Sequence, residues 1–185
     1  MTTKENMCFS SFTHLILPSF ALLRLRLSIN SHQSSKITVS NLRNSLTLLN
    51  LDCEVLACSV DSHFTHMEWT KKKREEGGLG DMSIPMLSDL AHKIAKDYGA
   101  LHPDGHLTFR ATYIIDDKGI LRHVSINDNN VGRNAEEYLR LVQGFQFADK
   151  HGEVCPASWK PGAKTMVPDI KSEKTKAYWK EEHAK

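Results

Sequence analysis

The chain has 185 residues, of which 40% are hydrophobic and 25% are charged. This composition is close to the average of globular proteins, and it excludes a fully disordered chain, a collagen-like repeat and a bundle of membrane helices. The formal net charge of +2 creates no overall field that would attract nucleic acid or an anionic membrane, so we expect neither as a partner.

The first 51 residues differ from the rest of the chain in their charge. They contain five basic residues and one acidic residue, whereas residues 52–185 contain 19 basic and 21 acidic residues. An apolar run at residues 15–27 is interrupted by a proline and two arginines, and a bilayer span needs about 20 apolar residues. A segment outside the fold, an organelle transit peptide and a folded beginning all fit this composition. We expect residues 1–49 to form a separate N-terminal segment.

A short apolar and β-branched run at Glu54–Val60 predicts the first strand of the fold. Asp61 and Ser62 follow it, and either side chain can cap a helix over His63–Glu76. The three glycines among residues 77–80 end this helix, because glycine is unfavourable in a helix interior.

The middle of the chain predicts a helix and then a β-hairpin. Ser88-Asp89 opens the helix, which carries apolar residues at one-turn spacing and ends at Gly99. Two strands follow at Thr108–Ile115 and Ile120–Ile126, and the sequence Asp116-Asp117-Lys118-Gly119 between them is typical of a hairpin turn.

The last part of the chain predicts a helix and an arm. Asn134 is expected to cap the helix over residues 135–148, which has an apolar stripe. Residues 150–185 contain three prolines and many charges, which indicates a C-terminal arm that lies on another surface. Together the elements form an α/β pattern that is incomplete, because only about three strands are predicted.

Cysteine usage indicates a reducing, intracellular compartment. The four cysteines, Cys8, Cys53, Cys58 and Cys155, are too few and too widely spaced for a secreted disulfide scaffold. Cys53 and Cys58 are an odd number of residues apart on or beside the first strand, so we expect them to point to opposite faces and to be buried. Cys155 precedes a proline in a polar stretch beside Lys150 and His151. It is interpreted either as an exposed thiol whose pKa a nearby cation lowers or as an ordinary surface cysteine.

Three other sequence patterns are candidates for metal, phosphate or anion binding. His63 and His66 are three residues apart on a helix, but no third ligand accompanies them, so we expect a surface pair and no metal. The glycines at 77–80 lack both the third glycine of a dinucleotide fingerprint and the G-K-[ST] of a phosphate loop. Arg133 precedes a predicted helix, where an arginine can stabilise an anion.

Six segments together resemble one protein family in their order and spacing. They are Glu54-Val-Leu-Ala-Cys-Ser-Val-Asp-Ser-His-Phe-Thr-His, Gly77-Gly-Leu-Gly, Ile114-Ile-Asp-Asp-Lys-Gly-Ile-Leu-Arg122, Asn127-Asp-x-x-Val-Gly-Arg133, Leu139-Arg-Leu-Val-Gln-Gly-Phe-Gln and His151-Gly-Glu-Val-Cys-Pro-Ala-x-Trp-Lys-Pro-Gly162. Over about residues 50–185 the chain resembles the typical two-cysteine peroxiredoxins.

This resemblance implies a thioredoxin-like α/β fold and a peroxidase that reduces hydrogen peroxide and organic hydroperoxides with thioredoxin as the reductant. A peroxidatic thiolate attacks the peroxide, and the resulting sulfenic acid forms a disulfide with a resolving cysteine of the partner subunit. By the resemblance, Cys155 is the resolving cysteine and Arg133 stabilises the thiolate and the peroxide. The glycines at 77–80 match a loop linked to overoxidation, and Tyr178-Trp179 stands where the family has the companion motif Tyr-Phe. No cofactor is implied, and a homodimer or higher oligomer is expected.

The family's peroxidatic cysteine is absent from the sequence. In the family it follows Pro-x-x-x-Thr-x-x and precedes a proline, but none of the four cysteines has a threonine three residues before it. We therefore expect an N-terminally incomplete fold without the opening strands and the peroxidatic helix. Its parts would be a segment outside the family at 1–49, a thioredoxin-like core at 50–149 and the arm at 150–185.

The missing cysteine leaves a second hypothesis open. The chain is then a non-catalytic thioredoxin-fold subunit, or a chaperone-like partner, rather than a peroxidase. A cytoplasmic location is expected under either hypothesis, and a mitochondrion or another organelle is the alternative that the N-terminal composition supports.

Overall fold

The computed structural model of the protein describes residues 51–82 and 84–184, and it describes residues 20–25 by their backbone alone. Cys8 lies outside the described residues. The described elements, in chain order, are β1 Phe20–Leu25, β2 Cys53–Ser59, α1 His63–Lys71, a 3₁₀ turn Arg74–Glu76, β3 Met86–Ser88, α2 Lys93–Asp97, β4 Arg110–Ile115, β5 Leu121–Asn127, α3 Ala135–His151 and α4 Glu173–His183.

The strands form one five-stranded sheet in the order β3-β2-β1-β4-β5. The central strand β1 is antiparallel to β2 and parallel to β4. The outer pairs are β2 with β3, which are parallel, and β4 with β5, which form the predicted antiparallel hairpin. The α/β class and the hairpin are therefore confirmed. Strands β1 and β3 are additional to the three strands that the sequence predicted.

Strand β1 lies within residues 1–49, which the sequence analysis set apart as a segment outside the family, and it forms the centre of the sheet. Leu22 is paired with Leu56 on one side and with Tyr113 on the other. A central strand with helices on both sides of its sheet needs no polar face, so it is apolar along its whole length. Phe20–Leu25 has this character, because Arg24 is its only charged residue.

Two apolar clusters lie on opposite faces of the sheet. One cluster lies between the sheet and α3, and its buried members are Cys53, Val55, Ala57, Ile84, Ile114 and Val142. The other includes Ile94 of α2, and its buried members are Cys58, Ala100, Ala111 and Tyr113. The prediction that Cys53 and Cys58 are buried on opposite faces is confirmed.

Helix caps follow the sequence more closely than helix lengths do. Ser62 accepts a hydrogen bond from the amide of Thr65 at 3.2 Å and begins α1, and Asn134 accepts one from the amide of Glu136 at 3.0 Å and begins α3. Both predicted caps are confirmed. The predicted helix at Ser88-Asp89 begins only at Lys93, because residues 86–88 extend the sheet as β3. No helix in the described part of the chain is long and apolar enough to cross a membrane.

The C-terminal segment is more ordered than the predicted arm. Its residues 173–183 form α4, which the sequence pattern did not predict. Before α4, Trp159 is 3% exposed and packs on Phe147 of α3 with 5.2 Å between the ring centroids. The part of the segment around Trp159 therefore lies on α3.

Candidate active site

Arg133 lies where the hairpin returns to the start of α3. Its Nη1 donates a hydrogen bond to the carbonyl oxygen of Ala111 at 3.2 Å. Burial of the guanidinium and, to a smaller extent, the charge of Arg110 together lower the pKa of Arg133 to about 10. A cation that is partly withdrawn from water beside a second cation gains from a nearby anion. The position at a helix entrance is the predicted one.

Arg110 is a residue of this site that the sequence analysis missed. It is the first residue of β4, and its Nε donates to the carbonyl oxygen of Asn129 at 3.5 Å. The hairpin register pairs Arg110 with Asn127, six residues before Arg133. The predicted hairpin contained the signal for this proximity. In an antiparallel hairpin the end of the second strand lies beside the start of the first, so Arg110 and the residues that follow Asn127 are close in space.

Cys155 follows α3 in the chain and packs against the second half of that helix. Its Sγ is 3.7 Å from the carbonyl oxygen of Gly144, and its side chain is half-buried. The prediction of an exposed thiol is therefore wrong, because the residues around Cys155 pack on α3 and its sulfur contacts the helix backbone.

The electrostatic environment of Cys155 also differs from the prediction. Burial raises the pKa of the Cys155 thiol, the charge of Arg140 lowers it, and the charge of Glu153 raises it. The net direction is upward, so the expected lowering by Lys150 or His151 is wrong. Arg140 is the nearby cation, and it comes from the helix rather than from the neighbouring sequence.

The other two described cysteines are poor nucleophiles. Burial raises the pKa of Cys53 to about 12 and that of Cys58 to about 11, with further contributions from Glu54 and Asp89 respectively. At neutral pH about one thiol in ten thousand or fewer is then ionised at either position.

We expect iodoacetamide to label Cys155 in the folded protein and Cys53 and Cys58 only after denaturation. Of these three cysteines only Cys155 is partly exposed, so the reagent can reach its sulfur, whereas Cys53 and Cys58 are buried and protonated. Timed labelling followed by peptide mass spectrometry measures each rate, with the Cys155→Ser variant as the control. Equal rates for Cys58 and Cys155 would show that the sheet is open.

His66 belongs to a buried polar cluster at the end of β2. It is 5% exposed, so the predicted surface pair with His63 is wrong. The Ser59 hydroxyl donates to Asp61 Oδ2 at 2.9 Å and lies 2.6 Å from His66 Nε2. Because the single hydroxyl proton goes to Asp61, His66 Nε2–H is the donor to Ser59. Nδ1 then carries the lone pair, and no partner of it lies among the described residues.

This arrangement makes folding stability depend on pH. Burial lowers the pKa of His66 below its usual 6.5, with a smaller opposing effect of Asp61. The unfolded chain then takes up a proton more readily than the folded one, so stability is lost as the pH falls through about 6.5. We expect the free energy of unfolding to fall between pH 7.5 and 5.5, and to fall less in His66→Gln. Urea titrations at both pH values measure this, and identical losses in the two proteins would exclude His66 as the cause.

The glycine loop at 77–80 folds back onto the end of α1. The amides of Gly78, Leu79 and Gly80 donate to carbonyl oxygens of Lys73, Trp69 and Lys72 at 2.9–3.0 Å. These amides are used within the loop, so they do not form a cradle for a phosphate. Among the described residues no group of three or more His, Cys, Asp or Glu side chains could hold a metal ion.

The family model described as the AhpC/TSA family matches residues 27–124, which is more than half of the chain. The chain belongs to the peroxiredoxin family. A second model, the C-terminal domain of 1-Cys peroxiredoxin, matches residues 144–181 and includes Cys155. The first match begins at residue 27, inside the segment 1–49 that the sequence analysis set apart.

Relatives with known names agree with this assignment. Human Peroxiredoxin-4 is 58% identical over 120 residues, which cover 65% of this chain and 44% of the relative. A peroxiredoxin of Cynops pyrrhogaster is 54% identical over 134 residues, which cover 72% of this chain and 66% of the relative. The chain thus spans less than half the length of the human relative.

Solved structures agree as well. The reduced 2-Cys peroxiredoxin of Plasmodium vivax has a TM-score of 0.66 and 30% identity, with 83% of this chain and 80% of that chain covered. The mitochondrial 2-Cys peroxiredoxin of Plasmodium falciparum has a TM-score of 0.58 and the same identity. The thioredoxin-like α/β fold implied by the sequence is therefore confirmed.

Proposed function

We propose that the chain acts in the thiol-dependent reduction of hydrogen peroxide and organic hydroperoxides, with thioredoxin as the reductant. The observation that carries the proposal is the setting of Cys155, which is the one described cysteine with a partly exposed sulfur and lies in the segment matched by a peroxiredoxin C-terminal domain. Membership of the peroxiredoxin family supports it. Cys155 is the resolving cysteine in this proposal, and Arg133 stabilises an anion.

The chemistry divides between two sulfurs. A peroxidatic thiolate attacks the peroxide, the O–O bond breaks, and the products are a sulfenic acid and water or an alcohol. The Cys155 thiolate then attacks the sulfenic sulfur, so that an S–S bond forms and the S–O bond breaks. The hydroxide that leaves takes up the proton that the Cys155 thiol released on ionisation, and water is the product. Thioredoxin reduces the disulfide by exchange and becomes oxidised.

The peroxidatic sulfur in this proposal comes from another subunit. Cys53 and Cys58 are buried and protonated, as their raised pKa values of about 12 and about 11 require. Cys155 contacts Gly144, ten residues along α3 from the cap at Asn134. At 1.5 Å per residue this separates Cys155 from the Arg133 end by roughly 15 Å along the axis. The Arg133 end of α3 and Cys155 are therefore too far apart to act on one sulfur within a single subunit. In this proposal Cys155 resolves a peroxidatic sulfur that a second, two-cysteine subunit supplies.

Oligomerisation is accordingly part of the proposal. Strand β5 is at the edge of the sheet, and its Val124 and Ile126 are exposed. An edge strand with apolar residues and unpaired backbone groups is suited to pairing with a second chain. We expect light scattering at micromolar concentration to give at least a dimer, and a clean monomer would contradict this.

Coupled turnover tests the proposal. The full chain is mixed with a complete two-cysteine peroxiredoxin whose own resolving cysteine has been replaced by serine, and oxidation of thioredoxin is followed after addition of hydrogen peroxide. We expect little turnover by either protein alone, because each lacks one sulfur, and thioredoxin oxidation by the mixture.

The Cys155→Ser chain is the matched control, and its mixture should stay at the level of the single proteins. Activity that needs no Cys155 would contradict the resolving role. A mixture that forms a stable complex without turnover would instead identify the chain as a non-catalytic subunit.

A further inference from the structure

Arg140 connects α3 to the segment that carries Cys155. Its Nε and Nη2 donate to the two carboxylate oxygens of Glu137 at 2.7 and 2.6 Å, which fixes the plane of the guanidinium. Its Nη1 reaches across to the carbonyl oxygen of Trp159 at 3.4 Å. One side chain thus joins the first turns of the helix to the backbone four residues beyond Cys155.

Gly144 places the Cys155 sulfur on the same face of α3 as Arg140. Arg140 and Gly144 are four residues apart in the helix, and residues at this spacing are neighbours on a helix surface. The Cys155 Sγ is 3.7 Å from the Gly144 carbonyl oxygen, and a Cβ built on Gly144 would lie 3.9 Å from the Trp159 ring. The loop from Cys155 to Trp159 is therefore held at both ends on the face that Arg140 shares.

The charge of Arg140 acts on the thiol in the direction that chemistry needs. It lowers the pKa of Cys155, against the effects of burial and of Glu153. A thiolate is the nucleophile in disulfide formation, so a cation that favours ionisation offsets part of the cost of covering the sulfur.

We propose that Arg140 is a positioning residue for Cys155 and holds the loop from Cys155 to Trp159 on α3 through the Trp159 carbonyl. The charge of Arg140 also acts on the sulfur that this loop carries. This inference rests on the proposed function, in which the Cys155 thiolate attacks a sulfenic sulfur. Arg140 takes no part in bond making. It stabilises the anion before the S–S bond forms and the S–O bond breaks.

The pH profile of Cys155 alkylation tests this role in the full chain. The rate of iodoacetamide labelling of the Cys155 peptide is measured from pH 6 to 10 in wild type, Arg140→Gln and Arg140→Lys. We expect Arg140→Gln to move the midpoint to higher pH and to lower the rate at pH 7.5 roughly two- to fivefold, as for a partly exposed charge pair. Arg140→Lys keeps the charge and should have a midpoint below that of Arg140→Gln.

Arg122→Gln is the matched control. Arg122 is also bound to carboxylates, those of Asp116 and Asp149, and its side chain is 25% exposed against 26% for Arg140. The Arg122→Gln variant should leave the midpoint of the pH profile of Cys155 alkylation unchanged. Equal midpoints in Arg140→Gln and Arg140→Lys would overturn the proposal even if both substitutions loosen the loop, because the two differ in charge at that position.

This test is independent of peroxidase turnover. Alkylation uses no peroxide, no thioredoxin and no second subunit, so a shifted midpoint supports the role of Arg140 even where coupled turnover fails. A shifted alkylation midpoint together with absent coupled turnover would refute the resolving role of Cys155. The effect of Arg140 on the Cys155 thiol would still stand.

Discussion

Trp159→Ala is expected to release the segment around Cys155 from α3. The indole is 3% exposed, it packs on the Phe147 ring, and its Nε1 donates to the carbonyl oxygen of Ala163 at 3.2 Å. Removing a buried tryptophan costs about 3–5 kcal/mol. We expect faster proteolysis within residues 152–172, faster alkylation of Cys155 and a lower free energy of unfolding in urea.

Trp179→Ala provides a control of the same residue type. Trp179 lies on α4 and is 39% exposed, so its removal is expected to cost less than about 1 kcal/mol and to leave Cys155 labelling unchanged. If the two substitutions had equal effects on Cys155, the packing of Trp159 would not be what covers the sulfur.

Gly78→Ala is expected to destabilise the turn that closes α1. A Cβ at this position would lie 2.0 Å from the carbonyl oxygen of Lys72 and 2.4 Å from its carbonyl carbon. Both atoms belong to the backbone, so the clash is relieved only if the loop shifts and loses its hydrogen bonds to the end of α1. We expect a loss of about 3 kcal/mol or more in the free energy of unfolding.

Gly132→Ala is the control for the glycine effect. A Cβ at Gly132 meets nothing within 4 Å, and its backbone φ is not positive. The substitution is expected to change stability by about 0.5 kcal/mol or less. Urea unfolding of both variants makes the comparison, and a Gly78→Ala protein as stable as Gly132→Ala would show that the loop is not held as described.

Local signals predicted those elements whose causes are local. The hairpin depends on the turn between β4 and β5, where the Asp116 carboxylate accepts from the amides of Lys118 and Ile120 at 3.0 and 2.8 Å. Helix α3 depends on its cap at Asn134 and on an apolar stripe. Both can be recognised from a few neighbouring residues, so the sequence predicted them.

Elements that depend on distant partners were missed. Strand β1 exists between β2 and β4, which come from the middle of the chain, and its sequence alone does not distinguish a central strand from an apolar leader segment. Strand β3 has only three residues and owes its conformation to pairing with β2. In both cases the neighbouring strands, rather than the local sequence, determine the conformation.

The candidate site shows the same division. Arg133 was predicted from its place before a helix, whereas Arg110 reaches it only through the hairpin register. Cys155 was predicted to be exposed from its polar neighbours, but its side chain is half-buried and its sulfur contacts the Gly144 carbonyl oxygen of α3. Burial raises the pKa of the Cys155 thiol, and the cation that opposes this effect is Arg140, fifteen positions earlier, rather than Lys150 or His151.

The central claim is that Cys155 forms the disulfide that completes a peroxide-reducing cycle. The most direct measurement adds one equivalent of hydrogen peroxide to an equimolar mixture of the full chain and a complete peroxiredoxin whose resolving cysteine is replaced by serine. Peptide mass spectrometry without reduction then identifies the products. We expect a peptide pair that joins Cys155 to the peroxidatic cysteine of the other subunit. A Cys155 that remains a free thiol while the peroxidatic sulfur is oxidised to sulfinic acid would contradict it.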